Sequence, residues 1–287
     1  MIPTLSFFRP TAETLVRRLK NLPPAPKVLH KLQRLVLKPD ASIDQIADVI
    51  AMEPGLSARV MKMAQSTEFG RGAQVDSIVE AVQRVGLKGV HELVTYAVAA
   101  ALVGQDLPTY KLDAQLLWSR AIACALAAGS LADRAGLPRR DAYTAGLVHG
   151  IGLMVIDRHS AALRTPRVLA SSGYPVDFAP AEEEWLGFNH AEVGAELLEL
   201  WGFSEPVVAA VRFQLQPGAA REHRQLAMIL ATARWARSLF CVADETIPDL
   251  PAAEWLEESR VAIDGFGGWL DEVRRGYTVA CHEMRLG

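Results

Sequence analysis

The stretch SIDQIADVIAMEPGLSARVMKMA, residues 42–64, decides the fold class. Ser42 stands three residues before Gln45, the spacing of a capping box, in which each side chain satisfies a backbone N–H at a helix start. Ile43, Ile46, Ala47, Val49 and Ile50 then return at three- and four-residue intervals and make one apolar face. Pro54 is preset for a first helical turn, and Leu56, Val60 and Met63 repeat the pattern behind it. Two short amphipathic helices in succession, with no strand-like alternation, predict helix packed on helix.

The same texture runs outward in both directions. In KVLHKLQRLVLK (27–38), Val28, Leu29, Leu32, Leu35 and Val36 form another apolar face. Ser77 and Glu80 repeat the capping-box spacing, and Gly86 stops that helix before a long apolar one running to Val103. GQDLPTYKLD (104–113) interrupts two apolar helices with Gly, Pro and polar residues and marks an internal boundary. Further helices are predicted over roughly 114–135, 141–157, 160–172, 190–201, 205–213 and 223–240, with a terminal one within 266–285. The prediction is an all-α, multi-helix bundle. It has an N-terminal helical portion (1–105), a second helical portion (106–240) and a C-terminal extension (241–287). In that extension Phe266, Trp269, Leu270, Val273 and Tyr277 pack on the body or on a second copy.

Composition narrows the setting. A chain of 287 residues buries enough surface to fold without disulfide or metal, and Cys124, Cys241 and Cys281 form no CxxC pair. Cys124, in an Ala-rich stretch, reads as a small buried hydrophobe, and a reducing cytoplasm is the expected location. The apolar run LVTYAVAAALVG (93–104) is short of the ~20 residues that span a bilayer, and no basic segment marks a signal peptide at Met1. Residues 1–105 carry 13 Lys/Arg against 9 Asp/Glu, whereas 106–287 carry 17 against 24, so only the first part suits an acidic partner.

Several motifs fail on their own chemistry. HELVT (91–95) lacks the second His of a zincin helix, since Thr95 stands in its place. Gly146, Gly150 and Gly152 follow no strand and make no phosphate loop. Lys27, Lys31, Arg34 and Lys38 fall three and four residues apart as a basic stripe, either a solvated helix face or a docking surface for an acidic partner. Residues 42–65 also resemble a helix-turn-helix with Ser57, Arg59 and Lys62 on the exposed side, but the AMEPG turn is long and the net charge is −3. DNA reading is therefore the third-ranked function.

Taken in order, several segments resemble the HDOD domain, the HD-related output domain of bacterial signalling. They are LPPAP (22–26), PDASIDQIADVIAMEPGLSARVMKMAQS (39–66), VDSIVEAVQRVGLKGV (75–90), LLWSRAIACA (116–125), DAYTAGLVHGIGLMVID (141–157) and LGFNHAEVGAELLELWGFSEPVVAAVRF (186–213). The resemblance covers roughly residues 15–240. It implies an N-terminal helical portion packed on an HD-like portion, and regulation in place of catalysis.

In HD-superfamily hydrolases, an early His, an adjacent His-Asp pair and a later Asp hold the metal that activates water. The resemblance sets Arg120 at the early His, His149-Gly150 at the pair and Thr232 at the later Asp, and leaves His190 nearby. Gly has no donor atom, Thr is a weak neutral one and Arg stays protonated, so the resemblance implies a degenerate site with no metal, no cofactor and no catalytic residue. The family's later paired His is replaced by FQLQP (213–217), and SGYP (172–175) echoes the GYP of a related phosphodiesterase group by chance.

His149 reads as a buried imidazole bonded to backbone or a neighbour, and His190 as a helix-start residue behind the Asn189 cap. Arg120 then supplies the charge a metal once gave, tethering helices or binding an anion such as a nucleotide phosphate. The acidic run at 182–184 reads as a solvated loop or helix start. The expected role is a signalling adaptor that binds proteins, such as components of cyclic-dinucleotide or two-component systems, in contexts including motility and virulence. A residual phosphodiesterase is the runner-up.

Overall fold

The structure is a computed structural model that describes residues 10–18, 32, 35, 42–52, 54–65, 75–86, 89–90, 105–171, 177–239, 251–260 and 265–285. Among these residues there is no strand; an isolated bridge joins Leu107 and Leu112. The all-α prediction holds. The helices are α1 (Ala12–Arg18), α2 (Ile43–Ala51), α3 (Pro54–Gln65), α4 (Ala114–Ala135), α5 (Arg139–Val148), α6 (Ile151–Ala161), α7 (Ala179–Leu186), α8 (His190–Leu200), α9 (Glu205–Arg212), α10 (Arg224–Ser238), α11 (Ala253–Glu258) and α12 (Phe266–Arg285). A further helical stretch covers 78–86.

The start signals work as their chemistry requires. Ser42 Oγ accepts from Gln45 N–H while the Gln45 amide oxygen accepts from Ser42 N–H, and Ile46, Ala47, Val49 and Ile50 go inward. Ile43 stays exposed. At 78–86, Ser77 Oγ accepts from Glu80 N–H, but Glu80 reaches back to Asp76 N–H, one residue earlier than a strict box.

Helix α4 is the axis of the bundle. Asp113 caps its start and Gly136, in the left-handed region, ends it. It packs on α5, α10 and α12, burying Ala121–Ala125, Ala127 and Ala128. Its small residues let helices approach closely: a Cβ on Gly146 of α5 would lie 2.7 Å from Ala125 Cα and from Cys124 O. With 22 residues, α4 is long and apolar enough to cross a bilayer, which the 93–104 run is not; 56% of its most apolar window is buried inside the protein, as in a core helix.

Two predicted helices differ. The one expected over 141–157 breaks at His149-Gly150, where Gly150 leaves helical geometry and a second helix, α6, begins. The one expected over 160–172 ends with α6, because Pro166 cannot continue it and Ser160 Oγ bonds both Arg167 N–H and Arg167 O. α12 folds onto the body: Trp269 and Val273 are buried, Phe266 stacks between Trp235 and Trp269, and Glu272 bonds Ser130 and Arg134. α1, from the first part of the chain, lies on α6 and α8 of the second. The 91–104 segment and SGYP fall outside the described residues.

Candidate functional site

The break after His149 opens a cavity of about 50 Å³ where α4, α6 and α10 converge. Leu117, Leu147, Ile151, Leu153, Met154 and Phe178 make apolar walls, and Arg120, His149, Asp177, His190, Arg234 and Arg237 bring polar groups. Gly150 faces open space, its nearest neighbour to a would-be Cβ being Leu153 Cδ1 at 3.7 Å. A side chain therefore fits there, and what Gly150 removes is chemical, a carboxylate.

His149 is buried and fixed in one tautomer. Its Nδ1–H donates to Gly146 O at 2.6 Å, because a carbonyl can only accept; its Nε2 accepts from Arg237 Nη1–H at 2.5 Å, because a guanidinium can only donate. Burial, then the charges of Arg237 and Arg234, hold the imidazole well below the usual histidine range. It is neutral, and its lone pair points into a guanidinium. The His149 carbonyl accepts from Gln214 Nε2 at 2.9 Å, and Gln214 O accepts from Arg234 Nη1 at 2.9 Å.

His190 lives in the opposite environment. Asn189 caps α8 with its side chain, forming a capping box with Glu192, and the Glu182 carboxylate accepts from His190 Nδ1 (2.8 Å) and His190 N–H (2.7 Å). Its other oxygen accepts from Tyr110 O–H at 2.7 Å. Burial pushes the Glu182 carboxyl up, but the His190 charge and the His190 and Tyr110 hydrogen bonds outweigh it, leaving it below the usual range. Burial and then Glu182 raise the Tyr110 phenol well above its ordinary value. Asp157 fastens this corner by accepting from Thr109 N–H at 2.8 Å.

Of the four predicted pocket residues, Arg120, His149 and His190 line the cavity together and Thr232 does not. Thr232 Oγ1 donates to Met228 O and meets Ser259 Oγ, on the side of α10 that faces α11. At 3.6 residues per turn, Arg234 and Arg237 lie ~140–160° around α10 from Thr232 and reach the cavity instead. The acidic run also reads differently: Glu183 and Glu184 are exposed, but Glu182 is fully buried under His190. Ser57, expected to face solvent, is half-buried and donates to Ile50 O. Lys27, Lys31, Arg34 and Lys38 lie outside the described residues.

Sequence reasoning missed Arg234, Arg237, Gln214 and Tyr110. The signal for the arginines was present: LATARWARS sets two cations three residues apart on an otherwise apolar helix, which only a polar cavity or solvent accommodates.

The HDOD domain family model matches residues 22–217. The chain belongs to the HDOD domain family. A solved HDOD domain protein from Geobacter sulfurreducens shares the fold, with a TM-score of 0.64 at 21% identity over 93% of this chain and 97% of that one. A Marinobacter aquaeolei VT8 protein, provisionally named a signal transduction protein, is 26% identical with a TM-score of 0.68; the alignment covers 92% of this HDOD chain and 62% of that one. A Shewanella amazonensis SB2B protein provisionally named a phosphohydrolase is also 26% identical, with a TM-score of 0.61 and 91% and 93% coverage. An uncharacterized protein of Treponema pallidum (strain Nichols) is 29% identical over 227 residues; the match takes 77% of this chain but only 43% of that longer one. The family is related to the HD phosphohydrolases.

Proposed function

We propose that this HDOD protein is a regulatory adaptor of the bacterial cytoplasm that transmits signals by binding other proteins, with an HD-like centre that holds no metal and turns over no phosphodiester. One contact carries the reading: Arg237 occupies the Nε2 lone pair of His149, the nitrogen an HD metal would need. The remaining donors are few. His190 offers only Nε2, its Nδ1 being bound to Glu182, and Asp177 is the one carboxylate among the cavity residues, with Oδ1 accepting from Ala179 N–H. A catalytic zinc site draws on about three protein ligands, and a guanidinium bonded to one of them repels a dication.

Elemental analysis of the dialysed protein, beside assays with cyclic dinucleotides and a generic phosphodiester plus Mn²⁺, tests the centre. The expected result is substoichiometric metal and no turnover in wild type and in Gly150→Asp, which restores the carboxylate but leaves Arg237 in place. Stoichiometric metal lost on His149→Ala, or Mn²⁺-dependent turnover, overturns the reading in favour of a phosphohydrolase. Capture of cross-linked partners from native cells tests the adaptor role; recovery of signalling proteins supports it, and duplex DNA binding that weakens with salt argues for the helix-turn-helix alternative.

A further inference from the structure

The terminal helix α12 opens on glycines that its packing does not require. Gly265 precedes the helix, and Gly267 and Gly268 stand in its first turn. A Cβ added at any of these positions meets no atom within 4 Å among the described residues, and none of them takes a positive φ. Glycines elsewhere differ: Gly146 and Gly152 have neighbouring backbone at 2.7 Å and 1.9 Å from a would-be Cβ, and Gly136 turns a helix end in the left-handed region. Glycine is the least favourable helix residue after proline, because folding removes the most backbone freedom from it. The run Gly-Phe-Gly-Gly therefore weakens the start of α12 and eases rotation of the chain there.

The helix is held along one side. Between Phe266 and Val279, Trp269 and Val273 are buried, Phe266, Leu270, Gly276 and Tyr277 are half-buried, and the rest is exposed. Trp269 is the main anchor, fully buried, yet its Nε1–H has no acceptor among the described residues. Such a donor costs free energy that undocking recovers, since water then accepts from it. The polar clamp, Ser130 and Arg134 donating to Glu272, lies partly in solvent, where an ion pair contributes little. Two points of α12 nonetheless reach residues beside the centre. Phe266 stacks on Trp235, the neighbour of Arg234 on α10, and Tyr277 packs on a cluster that includes Ala121 and Leu147. Both Ala121 and Leu147 also wall the cavity at His149.

We propose that α12 is a releasable strap, which undocks from α4 as one unit about a hinge at Gly265–Gly268 and, when docked, steadies α4 and α10 behind the His149 centre. The proposal goes beyond the adaptor reading and stands without it. Release withdraws Phe266 from Trp235 and Tyr277 from the Ala121–Leu147 wall, so the position of the strap reaches the centre through packing alone. An isolated helix of this length that contains Gly267, Gly268 and Gly276 is marginal in water, so its backbone amides become exposed on release. Segments with few buried contacts open at lower free energy than the core, and α12 meets that condition while α4, buried along most of its length, does not.

Hydrogen–deuterium exchange of the full wild-type chain at neutral pH, followed residue by residue in α12 and α4, tests the strap. Release as a unit gives Trp269 through Tyr277 one common protection, about a hundredfold or more below that of α4. Fraying from the chain end gives protection that declines steadily from Trp269 to Val279, and that result overturns the proposal. Protection within about threefold of α4 also overturns it, since α12 then opens only with the core. Replacing Gly267 and Gly268 together by Ala should slow exchange as far as Tyr277 about tenfold or more, because alanine favours the helix and stiffens the hinge. An effect confined to the first turn counts against a hinge. Trp269→Ala should release α12, leave α4 protected, and shift the His149 ring resonances while those of exposed His223 stay in place. Unchanged His149 resonances overturn the link to the centre, and loss of α4 protection in that variant makes α12 part of the core and overturns the strap. Either failure leaves the metal-free adaptor reading intact.

Discussion

His149 and His190 line one cavity, yet their surroundings have opposite signs. His149 faces Arg237 and Arg234 and is held neutral; His190 is tied twice to a buried carboxylate that a tyrosine also supports. In a metal centre both would be ligands and a dication would hold both elements. Here a guanidinium holds one and a carboxylate the other, so the centre is split into a cationic half on α10 and an anionic half on α7. The anionic half is satisfied inside the protein. The cationic half retains one buried donor, the Arg234 Nε–H, without an acceptor among the described residues.

The largest expected effect breaks the satisfied half. Glu182→Ala strips His190 Nδ1, His190 N–H and Tyr110 O–H of their acceptor in one change, and removing one member of a buried pair costs ~3–5 kcal/mol. Urea denaturation should show that loss, and a shift below 1 kcal/mol would mean the carboxylate is not the anchor. Next is the glycine pair that separates the halves. A Cβ on Gly152 would fall 1.9 Å from His190 O and force α6 from α8, for ~1–3 kcal/mol or more, whereas Gly150→Ala meets open space and should cost under ~1 kcal/mol. Equal losses at the two positions would contradict the close approach that defines the cavity floor.

The fold was legible where local chemistry decides it. Ser42 with Gln45 and Asn189 as a cap are signals read within one turn, and each sits where it was predicted; the helix predicted over roughly 114–135 ends at Gly136. The break at His149-Gly150 was not legible, because apolar residues continue across it on both sides. In the site, His149 and His190 were found, but their partners come from residues 237 and 182, which local spacing cannot connect. Thr232 illustrates the limit: reading a position by resemblance places it in the chain, while the rotation of α10 determines which neighbours face the cavity. Likewise Glu182 carries the same letter as its exposed neighbours, and burial alone distinguishes it.

A pH series sharpens the contrast between halves. Below ~6.5 the unfolded chain protonates His149 while the folded one refuses, because burial and Arg237 depress it. The unfolded state then binds more protons, so stability is lost as pH falls, by up to ~1.4 kcal/mol per unit until the folded value is reached. Glu182 acts in a lower window. Its stabilisation is present above the ordinary carboxylate value and is lost as pH falls through its depressed folded one. Unfolding free energies between pH 7.5 and ~5 should decline in wild type and flatten in His149→Gln. Half-buried His159, also depressed by burial, leaves a smaller residual slope. An unchanged slope in His149→Gln would assign the effect elsewhere.

The smallest effect tests the side of α10 that packs on α11. Thr232 Oγ1 donates to Met228 O and accepts from Ser259 Oγ, so Thr232→Val keeps the shape and removes the hydroxyl. Ser259 Oγ loses that acceptor in a fully buried position, which predicts a loss of ~1 kcal/mol. Metal content should not move, because the substitution lies on the side of the helix away from Arg234 and Arg237. The same variant would alter it if Thr232 stood in the cavity as the later ligand position of an HD centre does. A changed metal content from so mild a substitution would mean that α10 is rotated from the position described and that the guanidinium at His149 is not its resting partner.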